Sequence, residues 1–200
     1  MNEEITWVLQ AQQGNEEAFT RIVETYQTPV YNLCYRMLGE AEAAEDAAQE
    51  TFLRVFQHLN RYDRKRPFAT WLLSIAAHYC IDRLRRRRLF VFSMDEADES
   101  DAGFELPDPA SPDPEAELSR KEERDRLHHL LRNLDAVDRA AIVMRYWHDF
   151  SEAEIADALN LSVSAVKSRL HRARRALAGQ WQGGTSKARA QRRPNESPAF

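Results

Sequence analysis

The chain has 200 residues, 43% hydrophobic and 30% charged, with a formal net charge of −4. That length suits one ordinary domain or two small ones, and the composition excludes collagen-like, fully disordered and disulfide-rich chains. Apolar stretches fall far short of the roughly eighteen residues needed to span a bilayer, and the acidic N-terminus lacks a signal-peptide pattern, so a cytoplasmic protein without membrane insertion is expected.

The modest total charge hides a segregation along the chain. Residues 1–60 carry 3 basic and 10 acidic side chains, whereas residues 61–88 carry 9 basic and 2 acidic. Residues 95–117 hold 10 acids and no base; residues 162–178 hold 5 bases and no acid. Two basic surfaces separated by an acidic connector suggest a polyanion bound at two places.

In chain order the periodicity is helical almost throughout. Ala18, Phe19, Ile22, Val23 and Tyr26 form one apolar stripe. Thr28 reads as an N-cap with Pro29 at the first helical position, restarting a helix through Val30, Leu33, Cys34 and Met37 that Gly39 ends. A helix over 43–59 is expected to bury Ala48, Phe52, Val55, Phe56 and Leu59, and another runs from about 69 into the arginines at 85–88. Cys34 and Cys80, each in an apolar helical context, read as buried free thiols.

Residues 91–118 combine like charges with Pro107, Pro109, Pro112 and Pro114, a composition that packs no core and serves as a flexible linker. Helices are expected again at 119–132, 136–147, 152–159 and 164–178, followed by a disordered tail. The expected fold is therefore all-α: a helical domain at 1–90, the acidic linker at 91–118, a second small domain at 119–179 and a tail at 180–200.

Residues 151–178, SEAEIADALNLSVSAVKSRLHRARRALA, have the layout of a helix-turn-helix. Asn160 supplies the left-handed turn and Ser162 can cap the second helix, while Ile155 and Leu159 face inward from the first. On the second helix Val166, Leu170, Ala173 and Leu177 form the core stripe. Ser164, Ser168, His171, Arg172 and Arg175 lie opposite, with Lys167 and Arg174 flanking, a face rich in donors that suits DNA. His171 lacks a partner at metal-ligand spacing.

The block RYDRKRPFATWLLSIAAHYCIDRLRRRR, residues 61–88, mixes aromatic rings with cations, as expected where unstacked bases meet a charged groove. Phe68, Trp71 and Tyr79 can equally be core. Tyr79 shares a face with Leu72, Ile75 and Ala76 and reads as core; Trp71 lies off that face and is open to a base-contacting role.

Taken together, AEDAAQETFLRVFQHL, PFATWLLSIAAHYCIDRLRRRR and LDAVDRAAIVMRYWHDFSEAEIADALNLSVSAVKSRLHRARRAL resemble the extracytoplasmic-function (ECF) subclass of bacterial sigma factors. The likeness covers roughly 14–88, as a σ2 domain, and 120–178, as a σ4 helix-turn-helix domain. It implies a non-enzymatic subunit, with no catalytic residue, metal or cofactor, that binds core RNA polymerase and promoter DNA and is commonly held by an anti-sigma factor. By this resemblance Asp46, Gln49, Glu50 and Leu53 dock on the polymerase. Arg64, Lys65, Phe68, Trp71, His78, Arg83, Arg86 and Arg87 engage the opened −10 element, and Ser164, Lys167, Ser168, His171, Arg172, Arg174 and Arg175 meet the −35 element. His78 stands where many relatives carry an asparagine, and Ala165 where threonine is common. A polymerase-independent helix-turn-helix regulator is the alternative. The two promoter elements lie roughly 70 Å apart at about twenty base pairs, whereas a flexible linker of this length spans roughly 30 Å, so the linker must be extended in the complex.

Overall fold

The computed structural model describes residues 3–93, 123 and 125–191, all of whose regular elements are helical. Helices α1 (Glu3–Gln12), α2 (Glu16–Leu38), α3 (Ala41–His58) and α4 (Phe68–Ser93) form the first unit, with a 3-10 turn at Leu59–Arg61. The second contains α5 (125–132), α6 (Ala136–Trp147), α7 (Glu152–Ala158) and α8 (Val163–Gln191).

Local chemistry sets the helix ends. Asn15 caps α2 by accepting from the Ala18 N–H at 3.0 Å. Gly39, in the left-handed region at φ 80°, closes it with an N–H donated to the Tyr35 carbonyl. Asp135 caps α6 through the Val137 N–H, and Ser151 and Glu154 form a reciprocal capping box on α7.

α2 is the centre of the molecule, packed by α1, α3 and α4 and, from the second unit, by α6. It also corrects the expected restart at Thr28, because the helix runs unbroken through Pro29. Proline removes one hydrogen bond but need not end a helix whose flanks are held by tertiary packing, and Ile22, Val30 and Leu33 on either side are fully or almost fully buried.

The buried stripe of α3 is a second correction. Ala43, Ala44, Ala47, Thr51 and Val55 face the core, while Phe52 is half-buried and Phe56 is 60% exposed. Small side chains let α3 lie close against α2, and that rotation turns Phe56 outward onto the edge of Phe19, with ring centroids 5.1 Å apart. The buried Thr51 hydroxyl donates to Ala47 O at 2.7 Å.

Two boundaries shift. α4 continues to Ser93, into the stretch expected to be linker; the remainder of 91–118 lies outside the described residues. The tail expected to be disordered from 180 is helical as far as Gln191, because α8 continues through Gly179. Trp181 anchors this extension: the Arg126 guanidinium lies 3.9 Å from its ring centroid and donates to its carbonyl, and Asn133 bonds Gln180. Residues 192–200 lie outside the described residues.

Cys34 and Cys80 are free and wholly buried, as expected. The hydrogen bond between them, together with burial, pushes the Cys80 thiol far up, so it is held as a thiol.

The units are packed together, and their buried apolar side chains form one continuous cluster from Val8 to Ala173. His148, just after α6, sits at this junction. Burial and the nearby Arg36 of α2 pull its pKa from 6.5 down to about 4, Asp149 opposes the shift, and Nε2 has no partner among the described residues. The folded state then binds fewer protons than the unfolded state between about pH 6.5 and 4, so stability is highest above that window and falls on acidification through it. Denaturation midpoints at pH 7 and pH 4.5 are expected to differ more for the native chain than for His148→Gln.

Candidate nucleic-acid and partner interfaces

The second basic surface is built as the spacing predicts. Ile155 and Leu159 are buried, Asn160 adopts φ 53°, and the Ser162 hydroxyl accepts from the Ala165 N–H at 3.2 Å. Val166, Leu170 and Ala173 are buried and Leu177 half-buried, which leaves Ser164, Lys167, Ser168, His171, Arg172, Arg174 and Arg175 exposed along one side of α8. Two features qualify this face. The Arg174 Nε donates back to Leu170 O at 3.2 Å, and Glu152 of α7 reaches within 3.7 Å of the Lys167 ammonium.

Sequence reading passed over Arg169. Its guanidinium is 2.6 Å from Asp138 of α6, with Asp135 at 3.9 Å, and both Arg169 and Asp138 are partly buried. This pair fixes the angle of α8 against α6 and so aims the exposed face. No local pattern marks it, since the partners are 31 positions apart.

The first basic surface is only partly as expected. Arg64, Lys65, Arg86 and Arg87 are exposed, and Arg83 is half-buried. Phe68 is corrected from a nucleic-acid contact to a core residue: at 3% exposure it lies among Tyr26, Tyr62 and Trp71, at centroid distances of 5.6, 5.2 and 5.7 Å. It supports Trp71, which is half-buried and tilted against Tyr62 at 5.2 Å. His78 is half-buried and its Nδ1 lies 2.8 Å from Ser74 O, a carbonyl that it meets as donor. Tyr79 is half-buried, with the Arg54 guanidinium 4.8 Å from its ring centroid.

The α3 face carrying Asp46, Gln49, Glu50 and Leu53 points outward, with Leu53 58% exposed. Phe56 belongs to the same face; spacings of three and four from Gln49 through Leu53 carried that signal. Glu50 pairs with Arg54 at 2.7 Å and Asp46 with Arg83 at 3.6 Å. Beside this face, a groove of about 450 Å3 between α2 and α3 is lined by residues including Val23, Tyr31, Ala48, Gln49 and Phe52. An exposed apolar pair beside a shallow groove, with ion-paired carboxylates at its rim, has the composition of a protein-docking surface.

Two cationic surfaces on small helical units, one a capped helix-turn-helix, have the chemistry of a DNA-binding transcription protein, and the exposed apolar pair on α3 has that of a surface for a protein partner. The Sigma-70 region 2 family matches residues 22–90, and the Sigma-70 region 4 family matches residues 124–177. Over 176 residues, 86% of this chain and 94% of the relative, the sequence is 35% identical to the ECF RNA polymerase sigma factor SigW of Bacillus subtilis (strain 168). It is 33% identical over 172 residues to the RNA polymerase sigma factor CnrH of Cupriavidus metallidurans, covering 84% of this chain and 88% of that one. The chain belongs to the ECF family of RNA polymerase sigma factors. Its fold is shared by the solved structure of CnrH in complex with the cytosolic domain of CnrY, with a TM-score of 0.66, 24% identity and coverage of 89% of this chain and 96% of that one. The sigma factor RpoE in complex with the anti-sigma factor NepR from Bartonella quintana shares it at a TM-score of 0.64 and 19% identity, over 82% of this chain and 96% of that one. Among the described residues no helix is long and apolar enough to cross a membrane.

Proposed function

We propose that this sigma factor docks on core RNA polymerase through the outward face of α3, opens the −10 element with the start of α4, and reads the −35 element with α8, in the cytoplasm and without catalysis of its own. The observation that supports this division is the exposed apolar pair Leu53 and Phe56 on α3, beside Asp46, Gln49 and Glu50, on a face of different chemistry from the cation-rich sides of α4 and α8.

Each surface has its own chemistry. Melting a duplex costs stacking energy, which a captured base can offset by stacking on an aromatic ring or by hydrogen bonding in a pocket. Trp71 is braced for this by Phe68 and Tyr62, while Arg64 and Lys65 in the preceding loop and Arg86 and Arg87 on α4 meet phosphates. His78, whose Nδ1 is engaged by Ser74 O, has its Nε2 edge left to meet a base. On α8, Lys167, Ser168, His171 and Arg172 meet base edges and Arg174 and Arg175 meet backbone, each good bidentate contact contributing about 1–3 kcal/mol of discrimination. An anti-sigma factor would act by covering the α3 face or the basic surfaces.

Run-off transcription with purified bacterial core polymerase on genomic fragments tests the reading: discrete transcripts are expected only when this chain is added. Trp71→Ala is expected to leave holoenzyme assembly intact and to reduce permanganate-detected strand opening at least tenfold. Equal opening by the variant would remove Trp71 from the mechanism. Tight, specific duplex binding by the chain alone, with no transcript in the presence of core enzyme, would favour an independent regulator.

A further inference from the structure

A second concave site of the first unit lies toward the C-terminal end of α4, about four helical turns beyond Trp71. Its volume of about 520 Å3 is in the range of small-molecule sites. Leu38 at the end of α2, Ala43 near the start of α3 and Leu84 of α4 form its apolar part, and Arg83, Arg86 and Arg87 line it from α4. Spacings of three and four put these guanidiniums on one side of the helix, within little more than a turn. Glu40 is the one carboxylate of the lining.

The cations are loosely held. Glu40 pairs with Arg87 at 2.8 Å, and Arg83 lies 3.6 Å from Asp46 of α3. The side chains of Arg87 and Asp46 are 64% and 59% exposed, so water and salt screen both pairs and they exchange readily. Arg86 makes no hydrogen bond or ion pair among the described residues. Three guanidiniums against one lining carboxylate leave the cavity net positive, and an anion of two or more charges can displace Glu40 from Arg87.

The shape of the site narrows the class of anion. Arginine forks meet phosphate oxygens in bidentate fashion. A nucleic-acid strand spreads its phosphates one per nucleotide, whereas three guanidiniums so close together suit a group that concentrates several charges. A lone phosphate would leave Leu38, Ala43 and Leu84 uncovered, and an attached ring system would fill that part of the cavity. We propose that this cavity binds a free nucleoside diphosphate or triphosphate, its phosphates on Arg83, Arg86 and Arg87 and its nucleoside over the apolar side chains. Arg86 and Arg87 also serve the opened promoter strand in the sigma-factor reading above; on that reading rests the consequence that a bound nucleotide competes with strand opening.

Calorimetric titration of the full chain with ADP, in EDTA so that no metal shares the phosphates, tests the site. One ADP per chain is expected. Glu40→Gln, which removes the competing carboxylate, should bind ADP about threefold tighter or better, and Arg86→Gln/Arg87→Gln about tenfold more weakly. Arg172→Gln/Arg175→Gln on α8 should bind ADP as the native chain does. Pyrophosphate, which leaves the apolar side uncovered, should bind about tenfold more weakly than ADP. Equal affinity of the native chain and Arg86→Gln/Arg87→Gln for ADP, an equal loss in the α8 variant, or pyrophosphate binding as tightly as ADP would overturn the proposal. So would a response to these substitutions seen with a single-stranded oligodeoxynucleotide and not with ADP. With core polymerase, on a promoter recovered in the run-off assay, saturating ADP should lower permanganate-detected opening about threefold or more. Undiminished opening would overturn the competition. If the chain gives no transcript with core enzyme, the sigma-factor reading fails instead, and calorimetry alone judges the cavity.

Discussion

Arg139→Met is expected to destabilise the protein by about 3 kcal/mol or more, among the largest losses from any single substitution in the second unit. Burial pulls the Arg139 guanidinium down to about 10, still far enough above neutral pH to stay charged, and three backbone carbonyls depend on it: Met37, Arg132 and Leu134. Methionine fills similar volume but donates nothing, leaving those acceptors in a dry interior. Two of the three lie at the end of α5 and in the turn that follows it, so the loss falls on the second unit's own fold as well as on the packing between units. Urea denaturation followed by circular dichroism measures it. Arg139→Lys is expected to recover only part, because one ammonium cannot reach three acceptors spread around a planar fork. A native midpoint for Arg139→Met would mean that these carbonyls find water readily.

Loss of both apolar side chains on α3, in Leu53→Ala/Phe56→Ala, is expected to weaken binding to core polymerase by about 2 kcal/mol or more, roughly thirtyfold, with little change in stability. The side chains are 58% and 60% exposed, so the folded chain has little burial to lose beyond the Phe19 contact, whereas a docked partner would bury both. Competition of the variant against the native chain for fluorescently labelled core enzyme reads the effect. Unchanged affinity would move the docking surface elsewhere. Glu50→Arg provides a charge-specific companion: it should impair assembly while leaving any residual strand opening by assembled complexes unaltered. These outcomes separate α3 from the start of α4, where Trp71→Ala acts in the opposite sense.

Errors in reading α3 and α4 from sequence have a common cause. A periodic pattern shows which residues share a side of a helix, but the side that packs depends on what its neighbours require. In α3 the alanines at 43, 44 and 47 permit close approach to α2, and the larger Phe56 is turned out to solvent. In the aromatic cluster before and within α4, composition alone cannot assign each ring: Phe68 went inside and Trp71 stayed at the edge. Pro29 likewise signals a boundary locally, yet packing on both sides carries α2 through it.

The helix-turn-helix was legible because its determinants are local: Asn160 for a left-handed residue, Ser162 for the cap, and a stripe through Val166, Leu170 and Ala173 that leaves Lys167, Arg172 and Arg175 facing outward. The all-helical class, the buried thiols and the exposed α8 face followed from the same short-range rules of capping, periodicity and charge. What the second unit does to the first could be decided only in three dimensions. Arg139 and Met37 stand 102 positions apart, as do no two residues linked by helical spacing, and a buried guanidinium looks in sequence like any surface arginine. Long-range hydrogen bonds depend on where a helix ends and what meets it there, and chain order alone does not contain that information.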